Sequence, residues 1–452
     1  MTAEPPRGTQ PQLIRAIGRW SMVALVLNSI IGSGIFGLPS AVAGLVGGAS
    51  PLAVLLAGLG MAVIVACYAE VASQFTETGG TYLYIQRAFG RLLGLQVGWL
   101  TLLARLTACA AAANLLVAYL GEFWAEATLP LARLAVITAL VGLLAAVNYR
   151  GVGAGTLMSN ATAVAKLLAL GVVCVAGVIW LSAHPAVSAF SAHPVAATPR
   201  DWLKAMLLLL FVYGGHEAAL NPMGEARNPR QDAAFALFVA LGVLTALLFA
   251  LQLIVVGVLA DPAHSVRPLA DAARVIMANP GAAFISVGAL VSVYGYLSAN
   301  MLTVPRSMFA LAERGDFPAV FGAVHPRLRT PYVSIVVFAL LVWVFAQFAS
   351  FAWNVTLSAV ARLFYYGAVC AAVPALRRVQ PDAAAFRLRG GLTLPVAGIA
   401  MCALLLIGVD FSKSLILLAT VGVGLLNWAM VRQRAPRSAR LTRREACSRR
   451  AG

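Results

Sequence analysis

Apolar runs of near-membrane length recur from one end of this sequence to the other, and they leave few folds open. About 20 apolar residues carry a helix across the hydrocarbon of a bilayer. There, every backbone N–H and C=O must find a partner within the protein, which admits α-helices and closed β-barrels. A barrel would be written in alternating segments of about ten residues, and the sequence reads otherwise. Composition agrees: 61% of the 452 residues are hydrophobic and 11% are charged, against about 25% charged in a soluble domain. The expected fold class is an all-α polytopic membrane protein.

Twelve helices are expected, at 20–46, 51–75, 91–121, 131–149, 157–181, 202–222, 233–259, 282–312, 332–350, 352–375, 393–409 and 412–431. The first run has no A-x-A pattern directly after it and reads as a retained helix, not a signal peptide. An even count puts both arginine-rich tails on one side, which the positive-inside rule makes the cytoplasm. The inner loops then hold Arg87, Arg91, Arg150, Arg227, Arg230, Arg314, Arg327, Arg329, Arg377, Arg378, Arg387 and Arg389. The outer ones hold Arg133, Arg200, Lys204, Arg267, Arg274 and Lys413. The expected location is the cell membrane, multi-pass, with both termini cytoplasmic.

The net charge is +17, which in a soluble chain would suggest nucleic acid. Here the tail "RQRAPRSARLTRREACSRR" alone holds eight arginines. It reads as a cytoplasmic tail near anionic lipid headgroups, with no nucleic-acid partner. Five of the six cysteines (Cys67, Cys109, Cys174, Cys370 and Cys402, but not Cys447) fall in apolar helices, and no C-x-x-C pair occurs. They read as small apolar side chains, not disulfides or metal ligands. The outer loop 182–201 repeats "SAHP" at His184 and His193 without an evident third ligand, and reads as a Pro-rich linker. No metal site and no cofactor are expected. The segment "SVRPLADAARVIMANP" at 265–280 reads as a short outer helix, a candidate lid.

Two helices interrupt themselves. "IIGSGIFGLP" places Gly32 and Gly34 mid-span in expected helix 1, with Pro39 after them. "FVYGGHEAALNPMGEARNPRQD" at 211–232 places Gly214 and Gly215 mid-span in expected helix 6, with Asn221 and Pro222 after them. Each glycine costs a helix about 1 kcal/mol against alanine. The two lie five helices apart, at corresponding places in two five-helix units. Matched glycine-interrupted spans point to a transporter site. The half-helix after "GSG" offers free N–H groups and a positive dipole to a carboxylate, and carbonyls at the other half-helix ends suit an ammonium group. The alternative is that the glycines only permit close helix packing.

These motifs, with "YAEVASQFTETGGTYLYIQRAFG", "NYRGV" and "RSMFALAERGDFPAVFGAVHPRLRTPY", resemble the amino acid–polyamine–organocation permeases over nearly the whole chain. The resemblance implies a leucine-transporter-like fold: a 5+5 inverted repeat with discontinuous helices 1 and 6, plus two C-terminal helices. The division is then an N-tail at 1–19, repeats at 20–181 and 202–375, helices 11 and 12 within 393–431, and the basic tail at 432–452. It implies alternating access, by rocking of helices 1, 2, 6 and 7 against 3, 4, 8 and 9, and an α-amino acid or related amine as substrate. The carboxylate would meet the backbone of Gly32, Ser33 and Gly34. The amino group would meet carbonyls around Ile30 and Ile31 and from Phe211 through Tyr213 to Gly214.

Ionisable residues within spans are functional candidates. Lys166 on expected helix 5 is costly when charged at mid-depth and suits a proton carrier, the alternative being a lysine that snorkels to an interface. In several family members a lysine at this place substitutes for the sodium of sodium-dependent relatives and meets helices 1 and 8; the resemblance points to the Gly32 region and to Tyr296 or Ser298. Glu217 reads as either a brace of the second break or a protonation site. His216 stands where the family has an aromatic lid over the substrate. A histidine titrates near neutrality, so it is either a pH-sensitive gate or a neutral ring filling the same space. Arg105 and Arg362, with Asn300, are further pocket candidates. Either arginine would attract an acidic side chain or pair with Glu70 or Glu217, and Glu70 is also an inner-gate candidate.

No P-loop and no catalytic constellation is evident, so neither a primary pump nor an enzyme is expected. The expected function is a secondary transporter importing an amino acid, proton-coupled through Lys166. An exchanger without ion coupling, a sodium symporter (which Lys166 disfavours) and a non-transporting sensor are the alternatives. Substrate identity and oligomeric state are not written in the sequence.

Overall fold

The computed structural model describes residues 17–75, 77, 79–151, 155–184, 196–220, 223–379, 384–388, 390–407, 409 and 411–434, with backbone alone at 155–165, 224, 433 and 434. Most of both tails, His193, Asn221, Pro222, Arg389 and Cys447 lie outside them. The described regular structure is helical, with a single isolated bridge between Ile17 and Ala226. Eight stretches are helical, long and apolar enough to cross a membrane. The chain is a polytopic, all-helical membrane protein.

The first expected span is two helices, α1 (Arg19–Ile30) and α2 (Ser33–Val46), followed by α3 (Ser50–Ala72). α4 (Gly80–Phe89) is an addition to the expected twelve, too short to span. It buries Thr81 to Ile85 and leaves Arg87 and Phe89 exposed, and the Tyr82 hydroxyl donates to Asp316. α5 (Arg91–Leu120), α6 (Pro130–Arg150) and α7 (Gly155–Ala183) follow at the expected places.

The sixth span departs from its expected limits for local reasons. α8 (Pro199–Tyr213) starts early because Thr198 and Asp201 cap each other, with Pro199 in the first turn. It ends at Tyr213, ahead of the two glycines, and α9 (His216–Ala219) is a single turn beyond them. α10 (Pro229–Val258) likewise starts on a proline.

The expected lid is helical but is not a separate element. It opens α11 (Pro268–Glu313), joined to the long span through a kink at Met277 and Ala278, where Ala278 has φ 56°. α12 (Tyr332–Phe348), α13 (Phe351–Val379), α14 (Thr393–Leu406) and α15 (Phe411–Arg434) complete the chain.

α5 is the axis of the core. It is apolar around most of its surface, as a buried helix must be, and packs on α4, α11, α12, α13 and α15. α2 packs on α8, α3 on α10, and α6 on α12. Leu131, Leu143, Val175, Ile179 and Leu418 are exposed on α6, α7 and α15, where lipid is the natural solvent for them. Polar clasps close the expected inner side. Arg19 pairs with Asp232 at 3.0 Å and Arg91 with Asp316 at 2.5 Å.

Candidate functional site

The two breaks meet. At the first, α1 stops at Ile30, Ile31 turns extended (φ −69°, ψ 91°), and Gly32 (φ −125°, ψ −143°) starts α2 without a side-chain cap. The first-turn N–H groups of α2 therefore have no intrahelical acceptor. At the second, Gly214 is extended and Gly215 has φ 118°, a region glycine enters without strain. A Cβ on Gly215 would lie 2.5 Å from the Ser29 carbonyl oxygen. Glycine here lets one broken helix lie directly on the other.

Between the breaks lies a nearly closed pocket of about 10 Å³. Gly32, Ser33 and Gly34 form one wall, and Phe211, Val212 and Gly214 face them. Tyr296 of α11 and Arg362 of α13 close it. The Ser33 hydroxyl is buried without a hydrogen bond. Added Cβ atoms at Gly32 and Gly34 would press on Tyr296 at 3.0 Å and Phe211 at 3.1 Å, so both glycines leave room for neighbouring rings.

Lys166 binds the end of α1. Its ammonium donates to the carbonyls of Asn28 and Ile31, each at 2.8 Å. These carbonyls belong to the last turn and C-cap of α1. The expected contact with helix 1 is present. Among the described residues neither Tyr296 nor Ser298 hydrogen-bonds Lys166, so its contact here is with helix 1 backbone. The Ile31 carbonyl, expected to face an ammonium group of a substrate, already accepts the lysine's.

Glu217 is the hub behind the second break. One carboxylate oxygen accepts the Gly215 N–H at 2.9 Å and the Tyr366 hydroxyl at 3.3 Å. The other accepts the Tyr365 hydroxyl at 3.1 Å. Arg362 stands 3.5 Å from it and Arg105 4.0 Å. Arg105 also donates to Asn300 at 3.2 Å, whose amide donates to the Tyr296 carbonyl. A buried charge is tolerated when several such partners converge on it.

Several expected pocket residues stand elsewhere. His216 does not line the pocket. Its ring packs edge-on against Tyr68, 4.9 Å between centroids, and beside Tyr366, with Nε2 unpartnered. The Tyr213 hydroxyl points to α3 and donates to the Val54 carbonyl. Glu70 pairs with neither Arg105 nor Arg362. Arg377 holds it with two hydrogen bonds of 2.6 and 2.7 Å, and the Leu388 N–H adds a third. Arg377 lies about 22 Å along α13 from Arg362, at 1.5 Å per residue, which keeps Glu70 out of the pocket.

Tyr365 and Tyr366 were missed at the level of sequence, although they follow Arg362 by three and four residues and so share its helix face. Among the described residues, no group of three or more His, Cys, Asp or Glu side chains is placed to hold a metal ion.

Comparison with known proteins gives the broken pair a context. A family model described as amino acid permease matches residues 17–428. An uncharacterised transporter of Mycobacterium tuberculosis is 29% identical over 446 residues, covering 97% of this chain and 96% of that protein. The serine/threonine exchanger of Bacillus subtilis is 28% identical over 335 residues, 72% of this chain and 74% of the exchanger. The methylthioribose transporter of the same organism is 25% identical over 420 residues, 86% and 87% of the two chains.

Proposed function

The chain belongs to the amino acid permease family, and from that premise we propose that it imports an amino acid by alternating access, coupled to protons through Lys166. The observation that carries the coupling is the lysine's grip on the carbonyls of Asn28 and Ile31. Protonated, Lys166 clamps the end of α1 beside the pocket. Deprotonated, it loses donor strength and the charge that a membrane interior disfavours, and the clamp slackens. The broken helix can then move with the proton.

The matched breaks also support the finer reading of the fold: twelve spans, a 5+5 inverted repeat, and both termini inside. Expected spans 2 and 7, 3 and 8, and 4 and 9 pack together, as α3 on α10, α5 on α11 and α6 on α12, in the way two interlocked repeats would. The substrate's α-carboxylate faces the N–H groups that follow Gly32, and its side chain extends toward Phe211, Tyr296 and Arg362.

The test is uptake by the purified protein in proteoliposomes under an imposed pH gradient, with and without sodium. The expected result is sodium-independent uptake, driven by inward protons and lost in Lys166→Ala while counterflow persists. Full proton-driven uptake by Lys166→Ala would refute the coupling. The serine/threonine exchanger among the relatives favours a second reading, exchange without ion coupling. In that case counterflow runs and the pH gradient drives nothing. A non-transporting sensor would give neither.

A further inference from the structure

Arg362 is the unusual lining residue. It sits in α13, a helix long and apolar enough to cross a membrane, and is 3% exposed. A Cβ on Gly214 would fall 1.5 Å from its Nη1, so the glycine is what lets the guanidinium reach the pocket wall. A guanidinium keeps its charge in proteins, and a charge at this depth needs a partner.

Glu217 supplies only part of one. It stands 3.5 Å from Nη1, yet Nε and Nη1 of Arg362 make no hydrogen bond. The same carboxylate is shared with Arg105 at 4.0 Å and is already accepting from a backbone N–H and two tyrosines. Among the described residues neither arginine has an ion-pair contact with any other carboxylate. Two permanent positive charges thus face one negative charge, and the surplus lies on the pocket wall with unused donors.

We infer that the transported amino acid carries a second carboxylate, on its side chain. This rests on the reading of the pocket as an amino acid site. The α-carboxylate takes the free N–H groups after Gly32, and the side-chain carboxylate pairs with the Arg362 guanidinium through its unbonded Nη1, the nitrogen beside Gly214. Nε and Nη1 diverge within the guanidinium plane, so a carboxylate matches this group by its charge and a single hydrogen bond to Nη1, not by a bidentate fork. A carboxamide of the same shape carries no charge, so it leaves the surplus positive charge uncompensated. The substrate class is therefore an acidic α-amino acid, aspartate or glutamate in size.

The test is counterflow in proteoliposomes of the purified full chain. Vesicles are preloaded with unlabelled aspartate or glutamate, and entry of the labelled acid is compared with that of asparagine, glutamine, serine and threonine in matched vesicles. The acids are expected to exchange about tenfold faster or more than their amides, the kind of discrimination a site gains by leaving its own polar groups unpaired with the wrong ligand. Arg362→Gln is expected to abolish that preference and Arg362→Lys to retain part of it. Should these variants not fold, the acid-to-amide ratio of the unmodified protein decides alone. A ratio near or below one, with serine or threonine exchanging freely, overturns the acidic substrate and leaves the amino acid reading standing. No exchange of any amino acid overturns both.

Discussion

Gly215 lies against the backbone of Ser29, with room for no side chain between them: a Cβ there would stand 2.5 Å from the Ser29 carbonyl oxygen and 3.2 Å from the Ile30 Cα. The contact joins the second helix break to the first. Neither break is built separately, because the backbone of one forms the floor of the other. The Gly215 N–H is also held by Glu217, so the hub carboxylate fixes the crossing.

Gly215→Ala should therefore be among the most damaging single-methyl changes in the chain. Its φ of 118° is one a side chain enters only with strain of about 1–2 kcal/mol, and the clash with backbone adds to it. Thermal unfolding in detergent should show a clear fall in melting temperature and loss of transport. Gly142→Ala is the control: in α6, with nothing within 4 Å of the added Cβ, it should be neutral or stabilise by up to about 1 kcal/mol. Equal melting temperatures for the two variants would sink the account.

Glu70 and Arg377 make an asymmetric pair. The glutamate side chain is 0% exposed and the arginine 14%. Removing Glu70 leaves a guanidinium that can still reach water and the Leu388 and Gly391 carbonyls. Removing Arg377 leaves a buried carboxylate whose remaining donor is the Leu388 N–H. Arg377→Ala should destabilise by about 3–5 kcal/mol, the usual cost of stranding a buried charge, and Glu70→Ala by less. The double variant should recover part of the loss, as a double-mutant cycle in chemical denaturation would reveal.

Most of the helical plan is legible in the sequence because each span must satisfy its own backbone. Both breaks are legible because Gly32, Gly34, Gly214 and Gly215 form two matched clusters mid-span, where each glycine costs a helix about 1 kcal/mol. What hides is direction. Helices this apolar carry little amphipathic signal, so nothing in "GGHE" says that Glu217 turns inward to two tyrosines while His216 packs behind the break against Tyr68. Glu70 is similar. The charge is visible, but its partner is 307 residues away in sequence. The 265–280 lid is legible as a helix, whereas its continuity with α11 through Met277 and Ala278 is masked by Pro280, which looks like a terminator.

The capping box of α8 makes a pH-dependent helix start. Thr198 donates to the Asp201 carboxylate through both its hydroxyl, at 2.6 Å, and its backbone N–H, at 3.1 Å. Asp201 lies in the first turn, ahead of the apolar stretch. The hydroxyl bond first, and then the backbone one, hold its carboxyl below the usual range. A depressed folded-state value means the contribution is present above the unfolded value of about 3.9 and is lost as pH falls through the lower folded one. Hydrogen-exchange protection at the first turn of α8, taken against the intrinsic rate at each pH, should fall below about pH 4. Thr198→Ala should lower that protection at neutral pH and flatten its pH dependence. An unaltered profile in the variant would exclude the cap as the cause.

Tyr365→Phe and Tyr366→Phe remove one donor each from Glu217, leaving ring volume in place. Each hydrogen bond to a charged group contributes about 1.5–3 kcal/mol, so each variant should lower the melting temperature measurably. The effects should not add. Tyr365 bonds one carboxylate oxygen and Tyr366 the other, but both draw on a single charge that Arg362 and Arg105 also neutralise. Once one hydroxyl is gone, the carboxylate can shift toward the arginines, and the second loss costs less or more according to which oxygen moves. A double-mutant cycle in thermal unfolding should therefore give an interaction energy of about 0.5 kcal/mol or greater. Strict additivity would mean that the two tyrosines act on separate groups and that Glu217 is not their common acceptor.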